Sequence, residues 1–182
     1  MKKIFNETTA ALLSLVVLVG CMTLAALIPA QVTAIGTIIT QVADQGAVYA
    51  IQQDKNNAIY FKLAVPVLDN FANGTDLSPT ALQSALAKVT NTNQWVNLTI
   101  TAVVTAYDIS YSRYISDQLT NVPAAKVWIL DVETGFQQAL AQTDTALKLV
   151  RLSKTPPDFI VKGKVDKAVI KAKINAAVKA KK

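Results

Sequence analysis

Side chains able to do chemistry are few in this chain of 182 residues. There is no histidine, which removes the usual general base, the Ser-His-Asp triad and most transition-metal sites together. The single cysteine, Cys21, has no partner thiol, so neither an internal disulfide nor a Cys/His zinc site can form. Carboxylates remain as acid/base or calcium candidates. Asp131 and Glu133 stand two residues apart, on different faces of a helix, and Asp69 and Asp76 flank the Asn73-Gly74 turn without the ligand spacing of a calcium loop. Both pairs read as solvated surface. Gly163-Lys164 falls far short of a phosphate-binding loop. Tyr107, Tyr111 and Tyr114 could form an aromatic platform, but interleaved with Val and Ile at helical spacing they read as core, with hydroxyls at its boundary. The expectation is a non-enzymatic protein with no catalytic residue, metal or cofactor.

Charge is the stronger signal. The net charge of +6 is uneven: residues 1–147 hold seven basic and ten acidic side chains, and residues 148–182 hold eleven basic and two acidic. Lys162, Lys164, Lys167, Lys171, Lys173, Lys179, Lys181 and Lys182 are the candidate contacts to an anionic surface, which lipid head groups or a polyanionic envelope polymer would supply. Residues 164–182 contain neither arginine nor an aromatic side chain, so bidentate recognition or base stacking of nucleic acid is not indicated. A plain solvated helix is the competing reading.

The elements that must position these lysines read as helices. Gln31 to Gln53 places Val32, Ile35, Ile38, Ile39, Val42, Val48, Tyr49 and Ile51 at mostly helical spacing, with Gly46 a weak point. Ala58 to Phe71 reads as a helix bent near Pro66. Ser78-Pro79 is a serine cap with proline at the first helical position. Trp95 to Leu119 also alternates at its start, as a strand would, but its stripe of Val96, Ile100, Val103, Val104, Tyr107, Tyr111, Tyr114, Ile115 and Leu119 continues at helical spacing. Thr105 and Asp108 fall on its opposite, polar side, and Arg113 is expected to pair with Asp117. Ala124 to Leu152 is a further helix, with Val127, Trp128, Leu130, Phe136, Leu140, Leu147 and Leu149 inward and Gly135 as a possible interruption. Pro156-Pro157 marks residues 153–163 as a linker, after which residues 164–182 form a basic amphipathic helix separable from the core.

The N-terminus reads as a targeting or anchoring segment: Met1-Lys2-Lys3, a polar spacer, the apolar run Ala10 to Val19, then Leu18-Val19-Gly20-Cys21. This arrangement resembles the signal and lipobox of bacterial lipoproteins. The resemblance implies diacylglycerol transfer to Cys21, cleavage before it and acylation of the new amino terminus, so that acyl chains hold the protein on a membrane. Apolar residues continue past Cys21 to Ile28, so an uncleaved transmembrane helix from Ala10 to Ile28, ended by Pro29, is the alternative. A buried core helix is the third reading. The middle of the chain faintly resembles small uncharacterised helical proteins of bacteria and their phages, through Ala47-Val48-Tyr49-Ala50, Thr80-Ala81-Leu82-Gln83-Ser84-Ala85-Leu86 and Ala106-Tyr107-Asp108. That likeness implies a helical fold and no known activity.

The sequence thus predicts an all-α protein: residues 1–30 a signal peptide or anchor, 31–152 a compact helical bundle, 153–163 a linker and 164–182 a basic helix. The expected role is that of an envelope lipoprotein facing the periplasm or exterior, which binds an anionic surface or a protein partner. The alternative is a phage-encoded virion component or an uncleaved integral membrane protein.

Overall fold

The computed structural model describes residues 27–89, 93–115, 122–146 and 156–181. Its helices begin where the sequence satisfies their free amides. Helix α1 (Pro29–Gln53) has proline in its first turn, where no donor is needed. Asp54 then accepts from the Asn56 amide at 2.9 Å and starts a short 3-10 turn, Lys55–Asn57. Helix α2 (Ala58–Ala72) contains Pro66, which is exposed, as is Lys62, whose carbonyl the proline leaves without its helical donor. Ser78 Oγ accepts from the Ala81 amide at 3.3 Å and opens α3 (Pro79–Ala87). Asn93 Oδ1 accepts from the Trp95 and Val96 amides at 3.0 and 3.4 Å and opens α4 (Gln94–Tyr114). Helix α5 (Val122–Ala146) follows, then the antiparallel ribbon β1 (Ile160–Val161) and β2 (Lys164–Val165), and finally α6 (Lys167–Lys179). The protein is all-α apart from this ribbon among the described residues.

Helix α1 is the axis of the bundle. Helix α5 runs parallel to it: Trp128 Nε1 donates to the Val32 carbonyl at 3.1 Å, Thr40 Oγ1 donates to the Asp131 carbonyl at 3.1 Å, and Gln142 Nε2 donates to Asp44 Oδ1 at 2.9 Å. Helix α4 runs antiparallel: Thr99 Oγ1 donates to the Gly46 carbonyl at 2.9 Å, and one turn away the Tyr49 and Trp95 rings meet edge to face, 5.6 Å apart. On the far side of α5, Phe61 of α2 meets Phe136 at 5.0 Å. Helix α3 joins α2 to α4, and Tyr107 closes that junction by donating its hydroxyl to the Leu77 carbonyl at 2.6 Å. Trp128, Tyr107, Phe61 and Phe136 are fully buried inside the ring so formed.

Small residues let α1 and α5 approach closely. A methyl group at Gly135 would lie 2.5 Å from the Thr40 carbonyl oxygen and 2.6 Å from Ala43 Cβ, so Gly135 is a contact point and does not interrupt α5. Gly46 likewise faces Thr99 of α4, and Gly36 lies under the carboxyl group of Asp131.

Several expectations change. Val127 and Leu130, placed inward by hydropathy, are 44% and 42% exposed; Trp128 and Phe136 are buried as expected, and Ala124, Ala125, Ile129, Val132 and Ala139 complete the buried face of α5. Thr105, placed on a polar side, is buried, because α4 is covered by α1, α3 and α6 and has a broader inner face than one stripe. The segment read as a linker buries Phe159 and Ile160. Nor is the basic helix separable from the core: α6 lies against α1 and α4 and buries Ile170, Ile174 and Val178. The lipobox-like residues Leu18, Val19, Gly20 and Cys21, together with Asp117, Leu119 and Lys182, lie outside the described residues. No described helix is long and apolar enough to cross a membrane.

Candidate basic surface

The lysine surface begins at a two-residue hairpin loop. Val161 pairs with Lys164, and both loop residues, Lys162 and Gly163, have positive φ, 51° and 73°. This is the mirror-image turn that matches strand twist. Glycine enters that region freely, whereas Lys162 carries a side chain there, at the exposed tip. After β2, Asp166 accepts from the amides of Ala168 and Val169 at 2.9 and 3.2 Å and starts α6.

Ile170, Ile174 and Val178, spaced one turn apart, fix which side of α6 faces the core. Two polar contacts pin it further: Lys173 Nζ lies 2.8 Å from Asp158 Oδ2, and Arg113 Nη1 donates to Asn175 Oδ1. Lys162, Lys164, Lys167, Lys171, Lys179 and Lys181 remain exposed, while Lys173 is half-buried in its ion pair. Six cations are therefore held out from a docked ribbon and helix, with small Ala168, Ala172, Ala176 and Ala180 exposed between them. Because the apolar side of α6 is already packed inward, the helix has none to insert into a bilayer, and its available attraction is that of point charges.

One groove borders the ribbon and the start of α6, and another lies along the second half of α1. The first, of about 340 Å³, is lined by Val161, Lys164, Val165, Asp166, Lys167 and Ala168. Its lysines would favour an anion, but the Asp166 carboxylate already occupies the first amides of α6. The other, of about 230 Å³, is lined by Asp44, Gln45, Val48, Tyr49, Gln52, Gln142 and Pro157.

The carboxylates picked from the sequence are not assembled into an acid/base site. Asp131 sits on the α1 seam over Gly36, while Glu133 is half-buried and accepts from Gln137 Nε2 at 2.7 Å. Asp76 accepts from the Ser78 amide at 2.9 Å, and this bond holds its pKa below the usual range. Tyr107 is core, its hydroxyl pKa raised by burial, while Tyr111 and Tyr114 pack at the core boundary. Arg113, expected to pair with Asp117, meets Asn175 instead and also stacks 5.4 Å from the Tyr114 ring. Among the described residues, no three metal-ligating side chains group together.

Asp131, read from the sequence as solvated surface, is instead half-buried and strongly perturbed. Burial raises its pKa from 3.8 to about 6; α1 carries no cation from Pro29 to Gln53 to offset this. A carboxyl with a raised folded pKa stabilises the fold below its unfolded pKa, and that contribution is lost as pH rises through the folded value. Asp131→Asn is therefore expected to raise the melting temperature at pH 7 and to flatten its decline between pH 3.8 and about 6. Burial also raises Asp44, so part of the decline should persist. An unchanged slope, followed by thermal denaturation across pH, would show that Asp131 is solvated in the folded state.

Searches with protein-family models, against curated proteins and against solved structures find no match to this chain.

Proposed function

We propose that this protein is a non-enzymatic, membrane-anchored helical domain of the cell envelope that presents a rigid lysine surface to polyanions. The observation that carries the reading is the docking of the ribbon and α6, which turns a run of lysines into a fixed array of six exposed ammonium groups. Support for the anchor comes from the basic start, the apolar run and Leu18-Val19-Gly20-Cys21 in the sequence. A phage virion or integral membrane subunit is the second reading. It is favoured by Ile59 and Leu63, 58% and 51% exposed one turn apart on α2, where a neighbouring subunit could cover them.

The test uses the full chain in mild detergent on immobilised inorganic polyphosphate. It is compared with a variant carrying Lys→Gln at positions 162, 164, 167, 171, 179 and 181. The unmodified protein should be retained and should elute at clearly higher salt than the variant, since exposed charges are screened beyond about 8 Å at physiological ionic strength. Identical elution of two equally folded proteins would make the lysines a merely solvated face.

A further inference from the structure

We infer that the end of the bundle where α1 begins is a membrane-apposed face, whose partner is the head-group surface of an anionic bilayer. This rests on the anchored reading above and adds the orientation of the domain.

The helix directions bring the relevant residues to one end. The parallel pairing of α5 with α1, in which Trp128 reaches Val32, puts Lys126 and Val127 beside the start of α1. The antiparallel pairing of α4, in which Thr99 reaches Gly46, carries Arg113 to the same end: fourteen residues on, about 21 Å at the helical rise, it comes level with Val32. Helix α6 follows the same direction. Upstream of it, Pro157 lines one groove with Val48 and Gln52 of the second half of α1, and Asn175 meets Arg113 near the end of α4. Lys179 and Lys181 lie a further turn along.

That end exposes Ile28 and Val127, 47% and 44%, with Leu130 one turn behind them. Around them stand the exposed cations Arg113, Lys126, Lys179 and Lys181. Asp69 lies near Glu133, where α2 meets α5, and Asp76 precedes α3; neither α2 nor α3 is packed extensively on α6. Apolar side chains ringed by cations suit a surface that is anionic outside and apolar beneath. The occupant is also indicated by the chain itself, because the residues leading into Leu27 are the uncharged run from Thr8, so the most apolar segment joins the bundle at this end. The Lys162–Lys167 region sits about 18 Å from Lys179 along α6. That is more than twice the screening length of about 8 Å, so it stays free for a different polyanion.

Photo-cross-linking decides this. The full chain is reconstituted in phosphatidylcholine vesicles doped with photoactivatable phosphatidylglycerol, and adducts are mapped by peptide mass spectrometry. Adducts should be several-fold more abundant on peptides carrying Ile28, Lys126–Val127 and Lys179–Lys181 than on those carrying Lys162–Lys167. Lys126→Glu with Lys179→Glu and Lys181→Glu should abolish that excess without releasing the protein from the vesicles. Vesicle-bound protein with adducts concentrated on Lys162–Lys167 or on α2 would overturn the orientation and leave the anchor standing. Adducts at the α1 end on protein that high salt strips from the vesicles would support the face and overturn the anchor. Absence from the vesicles altogether would overturn both.

Discussion

Removing residues 156–182 should abolish the cooperative thermal transition of the domain or shift it far below that of the full chain. The deletion takes away Phe159, Ile160, Ile170, Ile174 and Val178, all buried, and bares the parts of α1 and α4 that α6 covers. A single large-to-small change at such a site, Ile174→Ala, costs about 2–5 kcal/mol. Domains of this size are stable by about 5–15 kcal/mol in total. Losing five anchors together therefore approaches the whole stability, even though the ordering cost of the deleted segment disappears with it. Ile174→Ala alone should lower the melting temperature by about 5–15 °C, and Lys171→Gln, exposed on the same helix, by almost nothing. Circular dichroism melts separate the cases. A truncated protein melting within a few degrees of the full chain would mean that α6 is an appendage.

The second large effect is expected at Gly135. Alanine normally stabilises a helix interior by about 1 kcal/mol over glycine. Here its methyl group would meet the Thr40 carbonyl oxygen at 2.5 Å, the Ala43 methyl at 2.6 Å and the Asp44 amide at 3.0 Å. Two of these atoms belong to the α1 backbone and cannot rotate aside, so α1 and α5 must separate along their main seam. Gly135→Ala should thus destabilise by about 1–3 kcal/mol, against its helix propensity, and Gly135→Leu by more. Denaturant unfolding checks the sign: stabilisation by alanine would show that the two helices are not in close contact.

These two sites also mark where the sequence stops being informative. Helix identity was legible because it depends on local features: the Ser78-Pro79 start, the turn at Asn73-Gly74, and hydropathy that keeps a 3.6-residue period through α4. Facing was less so. In α5 the large residues Val127 and Leu130 suggested an inner side, but the closest approach to α1 is made at Gly135, a small residue that hydropathy weighs lightly. In α6 the one-turn spacing of Ile170, Ile174 and Val178 was visible, yet the lysines among them and the prolines before them suggested a detached helix. Only tertiary packing fixes such a helix to a core. The lysines could be picked from composition; their rigid display, and the place of Asp131 over Gly36, required the pairing of helices distant in sequence.

Both the exposed lysines and the orientation of the bundle take their meaning from the attachment to a membrane that we propose for the N-terminus. Intact-mass and peptide mass spectrometry of the protein from native membranes tests that attachment. The expected result is a mature chain that begins at Cys21 and carries a diacylglycerol thioether and an acylated amino terminus. An unmodified chain that begins at Met1 and is recovered from the soluble fraction or from purified virions would contradict it.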